Sequence, residues 1–273
     1  MNECKTKYPL LLVHGMGFRD RKHLNYWGRI PKKLTERGSR VFYGNQDSAG
    51  SIEKNAETVA KNLNEALEKS GAEKVNIIAH SKGGLEARYL AANGFGSKIA
   101  SITTMNTPHN GSLTVDRLMR FPRFLIVFTA KCTDLWMKLL GDKDPDALSC
   151  FDMFTTEAAE RFSRENPIPD DIYCQSFGFK MKNARSDLLM MIPYLIVKRY
   201  DGENDGLLSE RAVRWGNYRG MYTSVSGRGI SHPDEVDIRR MCFSRKNPSN
   251  DHEIADITQF YISVVSELKS LGY

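Results

Sequence analysis

The chain has no apolar run approaching the roughly 20 residues that a helix needs to cross a bilayer, which argues against a helical membrane span. Its first residues, Met1-Asn2-Glu3-Cys4-Lys5-Thr6-Lys7, lack the apolar core of a secretory signal. The expected setting is cytoplasmic, or secreted without a recognisable signal peptide, or a form from which the signal is absent. Cysteine is sparse, with five residues at 4, 132, 150, 174 and 242 and no CxxC pair. An odd number at such spacing argues against a zinc ribbon, a redox motif or a disulfide framework, and predicts mostly reduced, buried thiols. A basic stripe interleaved with aromatic residues is also missing. The formal net charge is +6, yet the basic residues are scattered, with small clusters at Arg19-Asp20-Arg21-Lys22 and Arg239-Arg240. No nucleic-acid partner is expected, and a solvated surface with weak attraction to anionic lipid fits better. There is no internal repeat and no low-complexity segment.

What is present is an ordinary globular composition over 273 residues, 41% hydrophobic and 26% charged. That length can bury a large core, and residues 1–273 read as one domain carrying an insertion. The stretch that organises it runs from Val75 to Tyr89. Val75-Asn76-Ile77-Ile78-Ala79 suits a buried strand, and Leu85, Arg88 and Tyr89 follow at helical spacing. Between them His80-Ser81-Lys82-Gly83-Gly84 must turn sharply, and the small residues at 79, 83 and 84 permit it. Ser81 is thereby lifted to the tip of a nucleophile elbow, with Ala79 in the first glycine position. Its hydroxyl is placed to attack a carbonyl, and the Lys82 N–H and the helix dipole are placed to stabilise an oxyanion.

Around this stretch, strands and helices alternate. Residues 9–13 form an apolar strand ending in His14-Gly15-Met16-Gly17-Phe18, where the Met16 N–H is the expected second oxyanion donor. His14 itself reads as a packed, hydrogen-bonded histidine. A helix is predicted over 25–37, a strand over 41–43, and a helix over 52–69 capped by Ser51 and stopped by Gly71. Another strand spans 99–105, and His109 in the next loop reads as a residue bracing the site. This rhythm predicts a mostly parallel sheet with helices on both faces. From about 113 to 170 the pattern breaks into an apolar, helical insertion that reads as a lid, and 183–200 reads as a second cap segment. In water, Phe124, Leu125, Val127 and Phe128 are expected to lie inward over Ser81. Strands are predicted at 172–177 and 221–225, the latter being the last, before a C-terminal amphipathic helix over about 254–271.

A serine nucleophile needs a base and a carboxylate that orients it. Ser81, Asp205 and His232 supply these in the chain order serine, acid, histidine, with both partners in loops.

These motifs resemble those of the bacterial family I true lipases, of the Pseudomonas, Burkholderia and Proteus type, within the α/β-hydrolase superfamily. The matching words are Lys7-Tyr8-Pro9, Val13-His14-Gly15-Met16-Gly17-Phe18, Tyr26-Trp27, Ala79-His80-Ser81, Asn204-Asp205-Gly206-Leu207 and His232-Pro233-Asp234-Glu235-Val236. The resemblance implies an α/β-hydrolase fold with a helical lid and a serine carboxylic-ester hydrolase, foremost a lipase acting on triacylglycerol or another apolar acyl ester. Ser81, Asp205 and His232 would be catalytic, with Met16 and Lys82 as oxyanion donors. The partners would be a lipid or small apolar ester and a lipid–water interface. The alternatives are a short-chain carboxylesterase or acyltransferase on the same triad, and a catalytically silent lipid-binding module. The chemistry would need no cofactor. Resemblance further implies a structural calcium on Asp187 and Asp234, completed by backbone carbonyls near Ile238 and Cys242. Lys82 departs from the pattern, as a positive side chain that could act on oxyanion or substrate charge.

Overall fold

Leu10–Val13, Val75–His80 and Ile99–Met105 are buried at every position, because both faces of the sheet they form are covered. They are strands β1, β3 and β4. With β2 (Val41–Tyr43), β5 (Tyr173–Phe179), β6 (Asn217–Ser224) and β7 (Glu253–Ile254) they make a seven-stranded sheet in the order β2-β1-β3-β4-β5-β6-β7. Every neighbouring pair is parallel. The computed structural model describes residues 2–20 and 25–273; Arg21 and Lys22 of the basic cluster lie outside the described residues.

Alternation along the strands divides the core in two. Leu10, Leu12 and Ile78 face α1 (Ile30–Glu36) and the C-terminal helix α10 (Ile257–Ser270), together with the fully buried Trp27 and Tyr261. Leu11, Val13, Ile77 and Ala79 face α2 (Ile52–Ser70) and α3 (Lys82–Leu90). Helix α2 begins and ends as the sequence predicts: the Ser51 hydroxyl accepts from Lys54 N–H, and Gly71 closes it in the left-handed conformation. The helix read over 25–37 is shorter than expected. Gly28 has φ +51°, and a Cβ there would collide with Asp237, so Trp27 is buried from a turn and the helix starts at Ile30. Strand β7, two residues long, gives too little alternation to be read from sequence, so β6 is not the last strand.

Between β4 and β5 the chain forms α4 (Leu113–Leu118), α5 (Arg123–Leu139), α6 (Ala147–Met153) and α7 (Thr156–Glu165). Between β5 and β6 it forms α8 (Met191–Tyr200), with Pro193 tolerated in the first turn, and the short α9 (Glu210–Val213). Helix α5 does not face as expected. Ile126, Ala130 and Met137 form its buried stripe, and helical geometry then turns Phe124, Phe128 and Leu135 to the opposite side. Phe124 is 70% and Phe128 66% exposed.

Helix α3 is held by a buried ion pair. The Lys82 ammonium donates to Glu86 and to the Gly50 carbonyl at 2.9 Å, while Glu86 also accepts from Gln46 at 2.9 Å and Asn55 at 2.6 Å. This ties the loop between β2 and α2 to the start of α3. Removing one member strands an unpaired buried charge. Glu86→Ala is therefore expected to cost about 3–5 kcal/mol. In a thermal melt that is a fall of roughly 10 °C. The double variant Lys82→Met/Glu86→Leu should melt higher than Glu86→Ala.

Candidate active site

Strand β3 runs straight into α3 through one residue. Ser81 has φ 52° and ψ −129°, a strained conformation for a residue with a side chain. Three contacts hold the bend. Ser81 N–H donates to the Met105 carbonyl at 2.9 Å, the Ser81 carbonyl accepts from the Thr107 hydroxyl at 2.8 Å, and Gly84 N–H donates to the same carbonyl at 3.1 Å. Close approach explains the neighbouring glycines. A Cβ on Gly15 would lie 2.7 Å from the Ser81 Cβ, and one on Gly83 would collide with the carbonyls of Val13 and His14. The β1 loop carrying Met16 is thereby pressed against the elbow.

Asp205 lies in the loop between α8 and α9, and His232 in the loop between β6 and β7. Their side chains meet: His232 Nδ1 is hydrogen-bonded to Asp205 Oδ2. The His232 N–H also donates to the Asp205 carbonyl at 2.9 Å. Asp205 is fully buried, and its other oxygen accepts from Leu207 N–H at 2.8 Å and Leu208 N–H at 2.7 Å. Burial opposes ionisation of Asp205. Attraction to His232 and the bonds to His232, Glu235 and the Leu208 N–H outweigh it, and the carboxyl stays well below its ordinary range.

A buried network that sequence reasoning left without a role backs this pair. Asn106 donates to Asp205 Oδ2 at 2.6 Å and to Glu235 Oε1 at 2.8 Å. Glu235 Oε2 is 2.9 Å from His80 Nε2, and His80 Nδ1 is 2.7 Å from the Tyr26 hydroxyl. Burial, with the charge of Asp205, holds the Glu235 carboxyl well above its ordinary range. Burial and the charge of His232 hold His80 well below its ordinary range, so it is neutral near pH 7. The shift at Glu235 and the opposite one at Asp205 favour Asp205 as the charged carboxylate beside His232. His80, His232 and Glu235 also present donor atoms within 4.8 Å of one another, and they are the one such trio among the described residues. Glu235 and His80 stand in the sequence at His232 + 3 and Ser81 − 1, but no local spacing says that they touch.

Ser81, His232 and Met16 line one cavity of about 460 Å³, together with Leu125, Ile126 and Phe154. Its wall is nearly all apolar, with Ser81 and His232 among its few polar members, as in small-molecule sites generally. The side chain of Lys82 takes no part, being buried against Glu86, so its charge does not reach the cavity as expected; its backbone N–H remains at the start of α3. His14 is packed and bonded to the Gly15 and Gln46 carbonyls, and His109 is braced by Thr104 and Arg88 and stacked on Trp215.

Asp187 and Asp234 do come together, both within reach of the Ser231 hydroxyl at 2.8 and 2.9 Å. Between them stands Arg239, paired with Asp187 Oδ2 and, at 3.1 Å, with Asp234 Oδ1. With a guanidinium already between the carboxylates, this donor set does not fit a calcium ion, which takes six to eight free oxygens.

Residues 8–164 match the family described as alpha/beta hydrolase fold. The chain belongs to that family. It is 32% identical over 176 residues to a triacylglycerol lipase of Pseudarthrobacter phenanthrenivorans, covering 59% of this chain and 54% of the relative. The chain thus spans about half the length of that enzyme. Triacylglycerol lipase 2 of Saccharomyces cerevisiae is 26% identical over 265 residues, covering 92% of this chain and 75% of the relative. The metagenomic carboxyl esterase MGS0156 superposes with a TM-score of 0.71 at 15% identity over 96% of this chain and 76% of its own, a likeness of fold.

The network sets a test for Glu235. Glu235→Gln keeps a hydrogen-bonding side chain between His80 and Asn106, so it is expected to melt close to the parent. Glu235→Ala takes the partner from His80 Nε2 and from one Asn106 N–H in the core, at about 1–3 kcal/mol for each group left unsatisfied. Thermal melts of the two variants should therefore separate clearly, and equal melting points would contradict a structural role for these two bonds.

Proposed function

We propose that the protein is a serine carboxylic-ester hydrolase, foremost a lipase, that cleaves apolar acyl esters through an acyl-enzyme. One observation carries this reading: an apolar cavity has Ser81 and His232 on its wall, and His232 is bonded to a buried, ionised Asp205. The Ser81 Oγ attacks the ester carbonyl carbon while His232 Nε2 takes the hydroxyl proton. Asp205 holds the imidazole through Nδ1 and stabilises the cation that forms. The oxyanion accepts from the backbone N–H groups of Met16 and Lys82. As the tetrahedral adduct collapses, the C–O bond to the alcohol breaks and His232 returns the proton to the alkoxide. Water, activated by His232, then adds to the acyl-enzyme and releases the fatty acid and Ser81.

The lipase names among the relatives and the motif words support the finer likeness to bacterial family I true lipases. We read the chain as one domain whose segments 113–170 and 183–200 cap the site. Exposed Phe124, Phe128, Trp136, Leu188 and Ile192 on those segments support a lipid–water interface as the place of action. No helix among the described residues is long and apolar enough to cross a membrane. All five cysteines are free, which supports a reducing setting. The chemistry draws on no cofactor, and the calcium implied by resemblance has no part in it.

Two experiments test the reading. Ser81→Ala is expected to lower ester hydrolysis by about 10³-fold or more and to abolish fluorophosphonate labelling, with unchanged circular dichroism. Near-normal turnover would remove Ser81 from the mechanism, and an unlabelled wild-type protein would favour a silent lipid-binding module. The second measures rate against concentration of a partly soluble ester through its solubility limit. A jump once droplets form is expected. A hyperbola that ignores the limit, with best activity on short acyl chains, would identify a carboxylesterase with a fixed cap.

A further inference from the structure

The loop that carries His232 is anchored by charge. Asp187 lies just before α8, Ser231 and Asp234 flank His232, and Arg239 follows one turn later. The Arg239 Nη2 donates to Asp187 Oδ2, and its Nε lies 3.1 Å from Asp234 Oδ1 in an ion pair. The Ser231 hydroxyl lies between Asp187 Oδ2 and Asp234 Oδ2. Asp187 Oδ1 accepts from Leu189 N–H at 2.9 Å and Met190 N–H at 3.3 Å. Three of the four carboxylate oxygens therefore accept hydrogen bonds from the chain, and the fourth, Asp234 Oδ1, is ion-paired with Arg239. A second guanidinium, from Arg228, donates to the Ser186 carbonyl next door at 2.9 Å. One oxygen of each carboxylate, Asp187 Oδ2 and Asp234 Oδ1, is directed at Arg239.

We propose that Arg239 is the internal cation of this fold, replacing within the chain the structural calcium that the lipase resemblance implies. A guanidinium suits the place because its planar fork reaches two carboxylates at once from a fixed geometry. It crosslinks the segment entering α8 to the loop holding His232. The order of that loop then depends on no dissociable ion. Arg239 is a positioning residue: it touches neither the cavity nor the reacting atoms, and it acts through Ser231 and Asp234 on His232. This consequence for catalysis rests on His232 being the base, whereas the ion-binding part does not.

Thermal melts in chelator and in millimolar calcium chloride test the ion-binding part without any assay of activity. Wild-type protein is expected to melt at the same temperature in both. Arg239→Gln, which uncovers two carboxylates, is expected to melt lower, to gain stability with calcium, and to regain with it part of a lowered kcat at little changed KM. Arg239→Gln/Asp187→Asn should lose the calcium response. Arg239→Lys, which keeps the charge and loses the fork, should fall between wild type and Arg239→Gln, and it carries the comparison should the glutamine variant not fold. A wild-type melting point that drops in chelator and returns with calcium would overturn the proposal. So would an Arg239→Gln protein as stable and active as the parent, or one that is weakened yet blind to calcium. Fluorophosphonate labelling of the wild type reports separately on the catalytic reading, so failure of one idea is distinguishable from failure of the other.

Discussion

The close approach of the β1 loop to the turn between β3 and α3 is the constraint on which the site depends. Side chains are absent at Gly15 and Gly83 where the two segments meet, and Ser81 is held at φ 52° between them. Such a conformation persists only where its surroundings over-determine it. Here the Met105 carbonyl, the Thr107 hydroxyl and the packed carbonyls of Val13 and His14 do so. The same contact brings Met16 to the cavity wall beside the serine. Backbone geometry, more than any single side chain, makes this end of the sheet a place for chemistry.

Two buried polar networks flank the elbow and manage charge in different ways. On one side Lys82 and Glu86 neutralise each other, with Gln46, Asn55 and the Gly50 carbonyl completing their bonds. On the other, burial pushes the Glu235 carboxyl up and the His80 imidazole down, while Asp205 keeps its charge because His232 and two backbone N–H groups face it. Three carboxyl groups thus sit close to the serine, and their partners decide which is charged. A low dielectric makes this partition steep, since an unpaired buried charge costs far more than one that is paired and hydrogen-bonded.

The inserted helices solve a different problem. Helix α5 packs Ile126, Ala130 and Met137 inward and contributes Leu125, Ile126 and Thr129 to the cavity, which leaves its aromatic side chains in solvent. Together with Leu188, Leu189, Ile192 and Leu195 before and along α8, they expose more apolar surface than packing against the sheet requires. A helix with apolar residues on two faces can bury only one of them against its own domain.

The parallel sheet, the elbow at Ser81, the cap of α2 and the order of serine, aspartate and histidine are legible in the amino-acid order alone. These rest on short-range rules: strand and helix periods, small residues where backbones cross, and capping side chains next to the N–H groups they bond. The amino-acid order could not show that His80 meets Glu235, 155 residues away, or that Arg239 reaches Asp187 across 52 residues. Nor could it show that Lys82 turns inward to Glu86, that α5 turns its phenylalanines outward, or that two residues at 253 and 254 add a strand. The tertiary structure decided these, because which donor satisfies a buried acceptor depends on the paths of loops far apart in the chain. Burial then sets the charge each group carries, and burial is a property of the assembled fold rather than of any stretch of sequence.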